Sequence, residues 1–153
     1  MSEENQQFAI QKLYLKDVSF ESPNAPQVFT DGEWQPNVNV QINSSNQLIA
    51  DDTYEVVLSV TVTAVQNEKT AFLVEVKQAG IFTIAGFAKE NLGGMVGAYC
   101  PETLFPYLRE AVSDLIIKGG FPQFLLAPVN FNALYTQQVQ QQAEAKNEPE
   151  TAH

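Results

Sequence analysis

Four segments of the chain alternate between apolar and polar residues with a period of two, which is the pattern of β-strands with one buried face. They cover residues 8–21, 37–43, 53–65 and 70–78. The last two segments are separated by residues 66–69, a polar stretch typical of a hairpin loop. The pattern therefore predicts four antiparallel strands, of which the last two form a hairpin.

The first strand has the least regular alternation. Its apolar parity, which predicts the buried face, consists of Phe8, Ile10, Tyr14, Val18 and Phe20. Lys12 and Lys16 interrupt this parity, while Leu13 and Leu15 fall among the polar positions. The pattern predicts a long strand whose alternation is good but not clean.

A long connection, residues 22–36, joins the first two strands and contains Pro23, Pro26 and Pro36. A connection of this length can cross over a sheet, which places the first two strands at the outer edges, as in a Greek key. Asparagine and glutamine at the outward positions of the second strand, residues 37–43, favour an edge strand that faces water. The sequence Ser44-Ser45-Asn46 then predicts a turn.

The second half of the chain predicts two helices. The first extends from Pro101, a favoured first-turn residue, to Lys118, where two glycines form a stop signal. Pro106 is expected to kink its first turns or to move its start. Asn130 predicts the N-cap of the second helix. The glycines of residues 93–97, before the first helix, predict a flexible bend.

Strands followed by helices are typical of an α+β fold. We predict a four-stranded antiparallel sheet, Greek-key-like with a long crossover loop, and two C-terminal helices on one face. Residues 8–142 form the single predicted domain. A flexible N-terminus, residues 1–7, and a disordered acidic tail, residues 143–153, flank it.

The charge and composition of the chain disfavour several partners. The 18 acidic and 8 basic side chains give a formal net charge of −10, which opposes binding to nucleic acid or to an anionic membrane. No signal sequence or membrane-spanning apolar run is recognised. Cys100 is the only cysteine, so an internal disulfide is excluded. These features favour a cytoplasmic protein.

The residues needed for common enzyme chemistry are scarce. The only histidine is His153, the last residue, so a catalytic triad and a zinc site with histidine ligands both lack their main component. The glycines of residues 93–97 have neither the lysine of a P-loop nor the spacing of a dinucleotide-binding motif. We expect no catalytic residue, no metal and no cofactor.

Two predicted surfaces are candidates for binding. The outward positions of the sheet carry Asp17, Glu21, Glu55, Leu73 and Glu75, which form either an ordinary solvated face or a docking surface for a basic, flexible segment. Large apolar side chains also occupy both long loops. They fold back as a satellite core or subunit contact, or they line a groove for apolar segments of another chain.

Seven segments carry a resemblance to a known family. They are residues 14–26 (YLKDVSFESPNAP), 50–58 (ADDTYEVVL), 80–86 (GIFTIAG), 97–101 (GAYCP), 104–107 (LFPY), 120–123 (GFPQ) and 126–131 (LAPVNF). In this order they resemble the SecB family of bacterial protein-export chaperones. The resemblance extends from about residue 8 to residue 142.

The resemblance implies a specific function. SecB proteins are cytoplasmic homotetramers, dimers of dimers, that hold secretory and outer-membrane precursors unfolded and deliver them to the translocation ATPase SecA. The lack of a nucleotide motif fits a passive holdase that binds unfolded clients reversibly. An alternative is a SecB-like chaperone that controls a toxin–antitoxin pair. A small-molecule carrier or enzyme is a further alternative, although no residue supplies its chemistry.

The resemblance also assigns candidate site residues. The SecA-docking residues of the family correspond to Asp17, Glu21, Leu73 and Glu75. The client groove of the family lies between the crossover loop and the loop that connects the helices. The candidates for its lining are Val28, Phe29, Trp34, Phe121, Phe124, Leu126, Phe131 and Tyr135.

Overall fold

The sheet has the predicted Greek-key order. A computed structural model describes residues 5–147 of the chain. Its strands are β1 (Gln7–Glu21), β2 (Asn37–Ala50), β3 (Thr53–Gln66) and β4 (Lys69–Ala85). They are ordered β1-β4-β3-β2, and all neighbours are antiparallel. The crossover loop, residues 22–36, therefore joins the two edge strands, as the sequence predicts.

The α-helices of the described residues all follow the sheet, which confirms the α+β prediction. They are α1 (Lys89–Gly94), a π-helical turn (Met95–Tyr99), α2 (Cys100–Lys118) and α3 (Phe131–Asn147). A short 3₁₀ helix (Gln27–Thr30) lies in the crossover loop. The α2 helix packs across β4 and β3, and its buried residues face the apolar side of the sheet. The core between them includes Val56, Leu58, Val62, Phe72, Val74, Val76, Phe82, Leu104, Leu108, Val112 and Ile116.

Two β-bulges in β1 explain its irregular alternation. The register with β4 shifts between Ile10 and Lys12 and again between Leu15 and Asp17. Each extra residue moves the following side chains to the opposite face of the sheet. Between the bulges Leu13 therefore packs against the core. Tyr14 points to the outer face, so its predicted place on the buried face is wrong.

The second bulge has a direct consequence for the outer face. Lys16 is its extra residue, because Leu15 pairs with Gln78 and Asp17 pairs with Lys77. In an unbroken strand Asp17 would share the inner face with Leu15. The bulge returns Asp17 to the outer face, in line with the polar residues that follow it.

Two strands are longer than predicted. β2 continues through the expected turn at residues 44–46, and the chain reverses instead at Asp51 and Asp52, where Asp52 has a φ of 55°. β4 continues past the predicted end at Gln78 to Ala85. Around Ala79 the central strand is buried on both faces, and a strand buried on both faces shows no alternation.

Residues 93–97 are helical, so the prediction of a flexible bend is wrong. The ring of Tyr135 on α3 lies against Gly93 and Gly97, where an added Cβ would collide with it. The glycines therefore serve close helix packing. Of the two alternatives for Pro106, a moved helix start is excluded, because α2 begins at Cys100 and Pro106 lies inside it.

The predicted helix ends are confirmed. Gly119 caps α2, and Gly120 follows with a φ of 92°. Asn130 Oδ1 accepts a hydrogen bond of 3.0 Å from the backbone N–H of Ala133, as an N-cap does. The α3 helix includes residues 143–147, which the tail prediction covered. The rest of that tail, residues 148–153, and residues 1–4 of the predicted flexible N-terminus lie outside the described residues.

Cys100 is buried at the start of α2. Burial raises the pKa of its thiol to about 12, because the charged thiolate is disfavoured away from water. The side chain therefore packs as a small apolar group.

Candidate functional site

The outer face of the sheet, opposite the helices, brings the four predicted SecA-docking residues together. In the β1–β4 ladder Glu21 pairs with Leu73, and Asp17 pairs with Lys77. Glu75 lies between these two rows on β4. Directly paired residues of antiparallel strands point to the same face. Asp17, Glu21, Leu73 and Glu75 thus form a continuous surface, which we call the β1–β4 strip.

The charge of the strip is exposed. All three carboxylate residues are exposed, and Leu73 is half-buried between them. Lys77 is also exposed and lies at one end of the strip. The rows directly beside the strip on β3 and β2 are polar and uncharged. Their residues are Ser59, Thr61, Thr63, Asn39, Gln41 and Asn43.

Glu55 does not belong to this acidic surface, although the sequence places it there. It lies on the outer face but is only 8% exposed. Lys16 Nζ lies 3.0 Å from both of its carboxylate oxygens, and Gln47 Nε2 donates a hydrogen bond of 3.1 Å. The Tyr14 hydroxyl also donates to it. We call these four residues the Glu55 cluster, and its negative charge is neutralised internally.

The hydrogen bonds of the cluster shift the pKa of two of its members. Hydrogen bonds from Tyr14 and Lys16 lower the pKa of Glu55 from its ordinary value of 4.5, against the opposing effect of burial. Burial, together with the hydrogen bond to Glu55, raises the pKa of Tyr14 from 10.0 to about 12. Glu55 is therefore ionised and Tyr14 is neutral at physiological pH.

A group of aromatic rings forms where the crossover loop meets the connection between α2 and α3. We define the aromatic cluster as Phe20, Phe29, Trp34, Phe72 and Phe121. Phe121 lies at its centre, with ring centroids 5.0 Å from both Phe29 and Phe72 and 5.3 Å from Trp34. Phe20 is 6.5 Å from Phe121 and 6.1 Å from Phe72. Such distances are typical of stabilising aromatic pairs.

The C-terminus of α2 places Phe121 in this cluster. The positive φ of Gly120 reverses the chain, and the N–H of Phe121 then donates to the carbonyl of Ile116 over 3.2 Å. Gly119 leaves the space that the Phe20 ring occupies. The glycine pair thus both ends the helix and turns an aromatic ring into the core.

Side-chain amides attach the crossover loop to the β3–β4 hairpin. The buried Gln66 donates to the carbonyl of Glu33 over 2.6 Å and accepts from the N–H of Gln35 over 3.0 Å. Asn24 donates to the carbonyl of Thr70 over 2.8 Å. Trp34 lies between the two residues bonded to Gln66, so these contacts hold its ring against the cluster.

The aromatic cluster is core on one side and surface on the other. Phe121 and Phe72 are buried, whereas Phe29 is 50% exposed and Trp34 is partly buried. Both interpretations of the loop residues therefore find support: some have folded back as core, and others remain accessible to another chain.

The other candidates for the client groove are dispersed. Val28, Leu126 and Phe131 are buried, and Phe131 packs against Phe105 at 5.6 Å. Phe124 is partly buried against the core. Tyr135 lies on α3 against the glycines of residues 93–97, away from the aromatic cluster. Only Phe29, Trp34 and Phe121 of the eight candidates belong to that cluster.

A cleft of ≈ 370 Å³ separates α2 from the helix connection. Ile117 and Leu125 line it and are 50% and 57% exposed. Arg109 also lines it and donates from Nε to the carbonyl of Leu126 over 3.1 Å. The cleft thus presents two exposed apolar side chains, one on α2 and one on the helix connection.

Comparison with known proteins identifies the family. The profile described as "Preprotein translocase subunit SecB" matches residues 1–142. The chain belongs to the SecB family. It is 59% identical to the protein-export protein SecB of Methylococcus capsulatus, over all of both chains. It is 58% identical to that of Nitrosococcus oceani, over 94% of this chain and 90% of the relative.

A solved structure shares the fold. The SecB-like chaperone of Mycobacterium tuberculosis, in complex with an antitoxin peptide, superposes with a TM-score of 0.65 at 16% identity. The match covers 80% of this chain and 90% of that one. At this identity the likeness concerns the fold alone.

None of the helices within residues 5–147 has the length and apolar character needed to cross a bilayer.

Sequence reasoning missed two parts of these surfaces. Alternation predicts that Phe20 lies on the buried face of the sheet, but only the converging loops make Phe20 and Phe72 members of the aromatic cluster. The Glu55 cluster was also missed. The lysines and leucines of residues 12–16 break the alternation of β1 and so mark the two bulges. These bulges bring Tyr14 and Lys16 to Glu55.

Proposed function

We propose that the protein is an ATP-independent holdase that keeps secretory and outer-membrane precursors unfolded and delivers them to SecA. Its membership of the SecB family makes it a chaperone of protein export. We further propose that it is not an enzyme, that it acts in the cytoplasm, and that it forms a homotetramer arranged as a dimer of dimers. Several weak grooves in one assembly raise the avidity for a long client by about 10²–10⁴.

The observation that carries the proposal is the half-exposed aromatic cluster at the edge of an otherwise well-packed core. Exposed aromatic surface is costly in water unless a partner covers it. Phe29 and Trp34 present such surface on a loop that hydrogen bonds hold in place. An unfolded precursor offers apolar segments that can cover these rings. Folded proteins hide the same segments, so we expect the protein to select clients that fold slowly.

Trp34 provides a direct test of client binding, because it is the only tryptophan of the chain. A carboxymethylated, unfolded polypeptide without tryptophan is titrated into the full-length protein while Trp34 emission is followed. We expect a saturable change in emission and a complex in size-exclusion chromatography. The unmodified, folded polypeptide should cause no change. An unchanged signal together with no complex contradicts the holdase function.

A pair of variants locates the client surface. Phe29→Ala removes a half-exposed ring of the cluster, and we expect client affinity to fall by about tenfold. Leu48→Ala is the matched control, because Leu48 is 62% exposed on β2 and outside the cluster. Equal effects of the two substitutions would mean that clients do not prefer the aromatic cluster.

The β1–β4 strip is the proposed SecA-docking surface. Its support is the placement of three exposed carboxylates beside the half-buried Leu73 on two neighbouring strands. Glu75→Lys should weaken SecA binding by about tenfold or more and leave client binding within about twofold. Glu90→Lys, which makes the same charge change at an exposed position of α1, serves as the control. Equal loss of both activities in Glu75→Lys would assign the strip a structural role instead.

The toxin–antitoxin alternative has less support. The M. tuberculosis chaperone that is bound to an antitoxin peptide shares only the fold with this chain. The relatives with more than half of their residues identical are protein-export proteins.

A further inference from the structure

Lys16 has an unusual position next to the β1–β4 strip. It is the extra residue of the second bulge, directly before Asp17, and its side chain is 45% exposed. Its ammonium group lies 3.0 Å from both carboxylate oxygens of Glu55. The chain thus carries a cation beside its acidic surface and binds that cation to a separate carboxylate.

The ion pair directs the Lys16 side chain away from the β1–β4 strip. Glu55 lies on β3 in the row of Ile81, whereas the strip begins at the row of Lys77 and continues away from it. Lys16 therefore extends across β4 and away from Asp17. The carboxylate that it reaches is nearly buried and is fixed by hydrogen bonds from Tyr14 and Gln47.

A released Lys16 would reach the strip. Diagonal neighbours on adjacent strands are about 7–8 Å apart, within the range of a long side chain, and the stem of lysine has four flexible carbons. Three carboxylates and Lys77 give the strip a formal charge of −2. A second ammonium group would reduce this charge to −1 and compete with a basic partner.

We propose that Glu55 is a positioning residue for SecA docking, which holds the Lys16 ammonium away from the β1–β4 strip and so preserves the acidity of that surface. This inference rests on the proposed docking function of the strip. Glu55 does not touch the partner; it acts through Lys16. Glu55 is nearly buried, and Tyr14 and Gln47 hold its carboxylate in place. Lys16 therefore has a fixed partner that lies outside the strip.

Three variants of the full-length protein test the proposal: Glu55→Gln, Lys16→Met and the double variant. Glu55→Gln keeps an oxygen to accept from Tyr14 but releases Lys16, and we expect SecA affinity at low salt to fall about three- to fivefold. The double variant has no cation to release and restores the original net charge. Its affinity should return to within about 1.5-fold of the unmodified protein. Client binding should stay unchanged in all three.

A purely structural role for Glu55 makes the opposite prediction. If the cluster merely holds the strands together, the double variant remains as weak as Glu55→Gln, and Lys16→Met alone also weakens docking. Either result overturns the proposal, as does an unchanged affinity in Glu55→Gln. Lys16→Met also decides the matter should Glu55→Gln fail to fold, because the proposal requires docking that is undiminished or tighter.

Chemical labelling gives a readout of Lys16 itself. The rate of acetylation at Lys16, measured by peptide mass spectrometry, should rise at least about twofold in Glu55→Gln relative to the rate at Lys77. An unchanged ratio overturns the proposal, because it would show that Glu55 does not hold the ammonium group.

The Glu75→Lys variant distinguishes this failure from failure of the docking function. If Glu75→Lys weakens SecA binding and Glu55→Gln does not, only the role of Glu55 is wrong. If neither variant affects SecA binding, the strip is not the docking surface, and both ideas fall together.

Discussion

The β1–β4 strip and the aromatic cluster are built on different principles. The strip consists of three exposed carboxylates and the half-buried Leu73 on two paired strands, and the register between the strands places them side by side. The cluster joins residues from β1, β4, the crossover loop and the helix connection, and its central ring is buried. The first surface depends on local alternation, whereas the second depends on the convergence of distant segments.

The strip is thus defined by its exposed charges, and the cluster by the packing of its rings. Under the proposed function, removing a charge from the strip should change partner binding but leave the core intact. Removing a ring from the cluster should change the core and the proposed client surface together. Variants of the two regions should therefore differ in whether stability or affinity responds.

The largest effect is expected at the centre of the cluster. Phe121→Ala removes the ring that contacts four other aromatic residues, and we expect the free energy of unfolding to fall by about 3–5 kcal/mol. Urea unfolding measures this loss. Leu125→Ala, at a 57% exposed position of the same connection, should change stability by less than about 0.5 kcal/mol. Similar losses would show that the cluster is not part of the core.

A smaller loss is expected where Gly119 meets Phe20. Gly119 has a φ of −74°, which alanine tolerates, but the added methyl group would collide with the Phe20 ring. Gly119→Ala should therefore cost about 1–3 kcal/mol in thermal or urea unfolding. Gly94→Ala is the control, because Gly94 is helical and has open space around it. This control should be neutral or stabilising by up to about 1 kcal/mol.

The outer face should respond to pH. The pKa of Glu55 is below its ordinary 4.5, so its contribution to stability is present above that pH and is lost as the pH falls through the folded value. The pKa of Tyr14 is raised from 10.0 to about 12, so its contribution is present below pH 10 and is lost as the pH rises towards 12.

Glu55→Gln tests the acidic limb of this dependence. At pH 7 it should reduce the free energy of unfolding by about 1–2 kcal/mol, because the partly exposed Lys16 loses its partner. The difference from the unmodified protein should shrink as the pH falls below 4.5. A constant difference across this range would mean that the charge of Glu55 does not contribute.

The smallest effect is expected from salt. Raising the salt concentration from about 50 to 500 mM should weaken SecA binding several-fold, because it screens the exposed carboxylates of the strip. Client binding at the aromatic cluster should not weaken, since apolar burial is not screened. Isothermal titration calorimetry of both partners at each concentration measures the two responses. A parallel loss would contradict the separation of the two surfaces.

Much of the outer face follows from the sequence. Alternation predicts that Glu21, Leu73 and Glu75 share a face, and the paired strands confirm this placement. Tyr14 and Glu55 are the exceptions. A bulge reverses the face of Tyr14, and Glu55 is covered by partners from β1 and β2, which a single strand pattern does not reveal.

The aromatic cluster is less predictable. The sequence indicates that apolar residues of the loops must be covered, and Val28, Phe121, Leu126 and Phe131 are indeed buried. It does not indicate that Phe29 stays half-exposed or that Tyr135 packs elsewhere. These outcomes depend on which loops meet.

By itself, the sequence determined the α+β class, the order of the strands, the helix caps and the family. The class and the caps depend on residues near in the chain, the family on ordered motifs, and the predicted strand order on the length of the crossover connection. The tertiary structure alone decided which rings gather around Phe121 and which charge Glu55 neutralises. Both depend on distances between segments far apart in the chain, and such distances are set only when the sheet and helices pack together.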